Sequence, residues 1–160
     1  MSDGETAPLL SLSRITHRFG SVRALDEAML RVRPGTVHAV LGENGAGKTT
    51  LLRVAFGMLQ PDSGSIEWEG KPVVIASPAA ALARGIGMVH QHFTLVPAMS
   101  VAENVALGGR GGFSPRAAAA RVNEVSARAG LALDPDALVS TLSVGAQQRC
   151  EIVKIGRAHV

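Results

Sequence analysis

The apolar positions of the chain change period along its length, and those changes outline its elements. Leu9–Phe19 alternates loosely between apolar and polar residues and Val22–Val32 does the same, so each predicts a strand with one buried face. Pro34–Gly35 is a turn. Thr36–Leu41 is a short β-branched and apolar run, which predicts a buried strand ending at Gly42. From Lys48 to Leu59 the residues Leu51, Leu52, Ala55, Phe56 and Leu59 recur at helical spacing, and Gln60–Gly64 stops that helix. Ser65–Glu69 alternates again, with Ile66 and Trp68 on one face, and turns through Gly70–Lys71 into Val73–Ile75. Ile86–Val89 predicts a further buried strand.

Helix starts are marked by chemistry as well as by period. Ser77–Pro78 and Ser114–Pro115 each offer a hydroxyl cap followed by a proline whose missing N–H costs nothing at the first helical position. Ser100 and Glu103 form a capping box, in which hydroxyl and carboxylate satisfy each other's orphan amides. Leu107–Gly112 is a glycine-rich stretch around Arg110 and reads as a flexible connector; the helix from Pro115 is expected to end near Gly130. Strands therefore dominate the first third, a strand–loop–helix follows, and the later part is mostly helical.

Composition narrows the class. At 160 residues, with 46 % hydrophobic and 18 % charged, the chain can bury a real core, and with only 3 % aromatic residues that core must be aliphatic. No run approaches the ~18 apolar residues of a membrane span. Met1–Pro8 is small and polar, without the apolar centre of a signal peptide, and is expected to be a loose tail. Cys150 is the one cysteine, which leaves no internal disulfide, fits a reducing cytosolic compartment and reads as a small buried filler. The net charge is +3, and thirteen of the sixteen basic residues are Arg, but they are scattered. Arg31 and Arg33 are the nearest thing to a cluster, and no aromatic run interleaves with them, so a nucleic-acid partner is not expected.

The strongest chemical signal is Gly42-Glu43-Asn44-Gly45-Ala46-Gly47-Lys48-Thr49, followed by Thr50, which fits GxxxxGK[ST] between a predicted strand and a predicted helix. Glycines let successive N–H groups turn inward on a β-phosphate, and the following helix presents the positive end of its dipole. Lys48 can reach the β- and γ-phosphates, and the Thr49 hydroxyl can serve as a ligand to Mg²⁺. This predicts nucleotide triphosphate binding without naming the class of P-loop protein.

A second constellation names it. Leu142-Ser143-Val144-Gly145-Ala146-Gln147-Gln148-Arg149 resembles the LSGGQ signature of ABC ATPases, with Ser143 and the Gly145 amide at a helix start able to bind a γ-phosphate. In that family the phosphate belongs to ATP held by an opposing cassette. Gln91 stands where the family's Q-loop glutamine follows a strand and joins the Mg²⁺ shell, and Phe19 stands where an aromatic ring stacks on adenine. His90 and His92 flank Gln91 without the further ligands a metal site needs.

From Leu9 to Lys154 the chain resembles the ATPases of bacterial simple-sugar and nucleoside importers, through Gly42–Thr49, Gly85–Phe93, Leu95–Pro97, Val101–Asn104 and Leu142–Gly145. The resemblance implies an α/β P-loop cassette: an antiparallel β-subdomain, a partial core sheet and a helical subdomain. It implies ATP and Mg²⁺ as ligands, and a second cassette, fused in the same polypeptide. It also implies two membrane permease subunits, a substrate-binding protein acting indirectly, and a peripheral place on the cytoplasmic face of the inner membrane. Val144 and Ala146 depart from the signature consensus at positions that vary in this branch. The family's Walker B Asp, which holds Mg²⁺ through water, and its catalytic Glu, which polarises the attacking water, have no counterpart here, so no catalytic residue is assigned. Ile155–Val160 leaves the family pattern and matches one reading frame of a widely used sequencing adapter; the expectation is a non-native tail on a naturally longer protein. The rival expectations are a non-transport ABC ATPase and a short nucleotide-binding or regulatory module without catalysis.

Overall fold

A computed structural model of the chain describes residues 7–90, 94–107 and 113–156. It divides into two compact units, Met1–Ile86 and Gly87–Val160.

The first unit is built on one antiparallel sheet. Strand β1 is Leu10–Phe19 and β2 is Val22–Val32, a hairpin whose register runs from Phe19 opposite Val22 to Leu10 opposite Val32. Strands β3, Ser63–Trp68, and β4, Lys71–Val73, complete the order β2-β1-β3-β4. The hairpin register slips between Leu12 and His17, and Arg14 and Glu27 there take left-handed backbone, as a bulge requires. Helix α1, Lys48–Ala55, packs against β2, and helix α2, Pro78–Leu82, is capped by Ser77, whose hydroxyl accepts the Ala80 N–H. Among the described residues, Leu12, Ile15, Val54 and Ile75 are the largest fully enclosed side chains of this unit.

Two sequence expectations are corrected here. Helix α1 stops at Ala55 rather than Leu59, because Gly57 takes left-handed backbone (φ 72°) and closes it. The Gly57 N–H donates to Val54 O at 3.0 Å and the Met58 N–H to Arg53 O at 2.9 Å, the paired bonds of a Schellman end. Thr36–Leu41 and Ile86–Val89, expected as buried core strands, lie outside any strand; Val37 is fully exposed and Leu41 is 89 % exposed. An apolar β-branched run prefers extended backbone, but only a hydrogen-bonded neighbour makes it a buried strand. Among the described residues every strand belongs to the antiparallel sheet.

The second unit is helical. Helix α3 is Val101–Ala106, α4 is Pro115–Ala129 and α5 is Val144–Gly156, with a 3-10 turn at Val139–Thr141. The predicted capping box is present, with Ser100 Oγ accepting the Glu103 N–H at 3.2 Å and Glu103 Oε2 accepting the Ser100 N–H at 2.7 Å. Val101, Val105, Val122, Val139, Cys150 and Val153 form the core of this unit, each essentially without solvent contact. The glycine-rich connector expected between Leu107 and Gly112 falls almost wholly outside the described residues.

Candidate functional site

The loop Gly42–Gly47 leads into α1, and no side chain caps that helix. The first-turn amides are thus available to an anion placed on the helix axis. Lys48 is the first helical residue, and its Nζ turns back over the loop to donate to Gly42 O at 2.6 Å and Glu43 O at 2.7 Å. The Ala46 N–H donates to Glu43 O at 3.2 Å, which tightens the loop around the ammonium group. Thr49 is exposed at the first turn, and Thr50 lies half-buried beside it.

Gly47 shows why the loop needs glycine there. Its φ is 84°, and a Cβ on it would stand 2.5 Å from the Ala24 carbonyl oxygen and 2.9 Å from Leu25 Cδ2. The loop therefore sits directly against β2. Phe19, at the end of β1, is 48 % exposed, and the His17 ring lies 4.7 Å away at an interplanar angle of 86°.

In the second unit, Ser143 caps the N-terminus of α5: its hydroxyl accepts the Ala146 N–H at 3.3 Å, and its carbonyl accepts the Gln147 N–H at 2.9 Å. The Gln147 amide donates to Leu142 O at 3.1 Å. Val144 and Gly145 are exposed and Ala146 is buried. A Cβ on Gly145 would meet nothing nearer than the Arg149 guanidinium at 3.8 Å. The fold of this chain therefore makes no steric demand for glycine at that position. Gln91, with its flanking His92, lies outside the described residues.

Two polar side chains that the sequence reading did not single out organise the segment entering α3. Glu151, buried on α5, accepts the backbone N–H of Thr94 in a short hydrogen bond and the Thr94 hydroxyl at 3.0 Å. Lys154 Nζ donates to Thr94 O at 3.0 Å. Asn104, fully buried on α3, accepts the Val96 N–H at 2.7 Å and donates to Val96 O and Ser100 O, both at 3.0 Å. Burial and the charge of Glu151 push the Cys150 thiol up to about 11, with Lys154 opposing. Glu151 stands about 100° around the helix from Cys150, off the Ala146, Cys150 and Val153 stripe, so no periodic signal marks it as buried.

Comparison with known proteins agrees with this geometry. The family described as ABC transporter matches residues 25–157. The nucleoside import ATP-binding protein NupA of Lactococcus lactis is 45 % identical over 150 residues, covering 91 % of this chain and 30 % of that protein. The guanosine import ATP-binding protein NupO of Bacillus subtilis is also 45 % identical over 150 residues, covering 91 % of this chain and 29 % of that protein. A putative ribose/galactose/methyl galactoside import ATP-binding protein of Pseudomonas syringae is 43 % identical over 157 residues, covering 95 % of this chain and 30 % of that protein. The chain thus spans about 30 % of the length of these relatives. The ADP conformation of MJ1267, an ATP-binding cassette of an ABC transporter, superposes with a TM-score of 0.82 at 27 % identity, over 96 % of this chain and 66 % of that one. No helix among the described residues is long and apolar enough to cross a membrane.

Proposed function

The chain belongs to the ABC transporter family, and from that membership we propose that it is the ATP-binding front of an importer ATPase whose solute is a nucleoside or a simple sugar. The observation that carries the reading is the cradle at 42–49: an uncapped helix start, a loop held against β2 by Gly47, and Lys48 already bonded to two loop carbonyls. Phosphate oxygens compete for that ammonium group, and the α1 amides stabilise their charge in the same direction. Thr49 is a hard oxygen ligand at the place where a triphosphate-bound cation sits, and Mg²⁺ there neutralises charge on the phosphates. Phe19 offers its exposed face to the adenine base. The role read for Gln91 rests on the sequence.

In the whole protein, Ser143 and Gly145 of one cassette face the ATP of another, and closure and reopening drive two permease subunits on the cytoplasmic face of the membrane, fed by a substrate-binding protein. The nucleoside or sugar assignment is supported by the names of the relatives. We infer that no carboxylate among these 160 residues takes the roles by which this family holds Mg²⁺ through water and polarises the attacking water. We therefore expect residues 1–160 to bind Mg·ATP weakly and not to turn it over.

Titration of the purified chain with Mg·ATP tests the cradle. Binding is expected for the wild type and a loss of at least ~10-fold for Lys48→Ala, the scale of a charge-assisted phosphate contact. Equal binding by both proteins removes Lys48 from the site. Mg²⁺-dependent hydrolysis that Lys48→Ala abolishes would refute the expectation of no turnover.

A further inference from the structure

His17 is the side chain of the nucleotide-binding unit that the function above leaves unexplained. Its imidazole is 11 % exposed, and neither ring nitrogen has a hydrogen-bond partner among the described residues. The nearest charged group is Asp62, whose Oδ1 is 3.9 Å from Nδ1. Asp62 is itself committed elsewhere: its Oδ2 accepts the Arg18 N–H at 2.8 Å, and its own N–H donates to Thr16 O at 2.8 Å. A largely enclosed polar ring with no hydrogen bond is costly unless its shape does something.

Its surroundings point to what that is. His17 and Phe19 are two apart on β1, hence on one face of the strand. Their rings meet at near right angles, at a centroid separation of 4.7 Å. This is the arrangement in which the positive edge of one ring meets the negative face of the other. Across the hairpin, His17 is the register partner of Leu25, and Leu25 and Ala24 are the residues against which Gly47 of the phosphate loop is pressed. A line of neighbours therefore runs from the phosphate cradle through Leu25 and its cross-strand partner His17 to the Phe19 ring. Phe19 itself is half in solvent, and an aromatic ring so exposed would otherwise sample several rotamers.

We propose that His17 is a positioning residue for nucleobase recognition: it holds the Phe19 ring in one orientation, at a fixed distance from the phosphate cradle, so that base and triphosphate are bound together. This rests on the reading that Phe19 stacks on the base. His17 does not touch the nucleotide; it acts through Phe19.

The test compares Mg·ATP with Mg·tripolyphosphate, which has the phosphates without a base, by calorimetric titration of the full chain. In the wild type, ATP binds more tightly than tripolyphosphate, and Phe19→Ala removes that preference. His17→Ala is expected to lower the ATP-to-tripolyphosphate affinity ratio by ~3- to 10-fold, the scale of one aromatic edge contact. His17→Phe, which keeps a flat ring at the same place, is expected to restore it. In the Phe19→Ala background, His17→Ala is expected to change nothing further, because a residue acting through Phe19 has nothing left to position. An unchanged ratio in His17→Ala beside a lost one in Phe19→Ala overturns the proposal alone. So does an equal loss of both ligands in His17→Ala, or a loss that adds to that of Phe19→Ala. A Phe19→Ala variant that keeps the wild-type ratio overturns the stacking reading and the proposal with it. Absence of any Lys48-dependent binding overturns the cradle reading and both of these.

Discussion

Replacing Asn104 strikes the polar centre of the helical unit, and the cost can be worked from its bonds. The side chain is fully buried; it accepts the Val96 N–H and donates at 3.0 Å to Val96 O and Ser100 O, with a longer and weaker donation to Met99 O at 3.5 Å. Asn104→Ala removes all of them, but the consequences differ. Val96 O still accepts the Met99 N–H at 3.1 Å, and Ser100 O still accepts the Asn104 backbone N–H at 3.0 Å, so each donated bond costs only its net worth of ~0.5–1.5 kcal/mol. The Val96 N–H loses its side-chain acceptor, which adds an orphan penalty of ~1–3 kcal/mol. The sum is ~2–6 kcal/mol. Cys150 supplies the assay, since it is the only cysteine, has no solvent contact and lies in the same unit, so a thiol reagent reaches it only when that unit opens. At pH 8 the labelling rate of Asn104→Ala should rise by at least ~30-fold over the wild type, since ~1.4 kcal/mol is a factor of ten. Asn104→Asp adds a sign test. One carboxylate oxygen can still accept the Val96 N–H, but the other faces the carbonyl oxygens of Val96, Met99 and Ser100 in a buried place. The folded-state pKa of this carboxyl should then lie above the ordinary value of ~3.9, with stability present below that value and lost as pH rises through the folded pKa. Denaturant titrations should find Asn104→Asp closest to the wild type in acid and furthest from it at neutral pH. A labelling rate for Asn104→Ala within ~3-fold of the wild type would refute this accounting.

Removing the Glu151 carboxylate with Ala, while Thr94 and Lys154 remain, should destabilise the helical unit by ~2–4 kcal/mol, and Glu151→Gln, which keeps an acceptor for the Thr94 N–H, should recover more than half; the Cys150 labelling rate reads both. The raised Cys150 pKa fixes a further pH dependence. The neutral thiol is favoured in the fold, so its contribution is complete below the ordinary value of 9.0 and is lost as pH rises from there through about 11, a decline that Cys150→Ala should abolish in thermal unfolding followed by circular dichroism. Gly145→Ala should leave unfolding unchanged or raise stability by up to ~1 kcal/mol, since helical glycine is the poorer former and the site has room for a Cβ. Any loss of nucleotide-dependent association between cassettes in that variant would then report contact with a ligand rather than damage to the fold.

How much of this was legible in the sequence depends on how local the cause was. The caps at Ser77, Ser100 and Ser114 could be read because each is a bond between residues three apart, and all three are present. Strands β1 and β2 could be read because each is an alternating run, while their antiparallel pairing is only what the family resemblance implies. The two motif loops could be read because their chemistry fixes residue types at set spacings. The strands expected at Thr36–Leu41 and Ile86–Val89 failed for the opposite reason: burial of an apolar run needs a partner distant in sequence, and composition does not say where that partner is. Asn104 and Glu151 were missed on the same ground. On a helix each looks like an ordinary solvent-facing residue, and only the path of residues 94–100 brings backbone groups to them.

Gly47 and Gly145 carry this distinction into function. Both stand in motif loops, and a sequence treats them alike. At Gly47 the reason for glycine is internal: left-handed backbone and the Ala24 carbonyl exclude any side chain, so the residue sets how closely the phosphate loop approaches β2. At Gly145 the helix is ordinary and the space is open, so nothing among the described residues calls for glycine. A helical position that is exposed, sterically free and yet filled by the residue worst suited to a helix short of proline costs ~1 kcal/mol relative to Ala. That cost is offset only by something that must come closer to the backbone than a methyl group allows. Gly145 is the second residue of α5, directly after the Ser143 cap, where the proposed phosphate from outside this chain would approach the backbone. The glycine of the phosphate loop is thus explained by the described residues of this chain, whereas that of the signature loop is not, and the proposed contact with a second cassette would supply the missing reason.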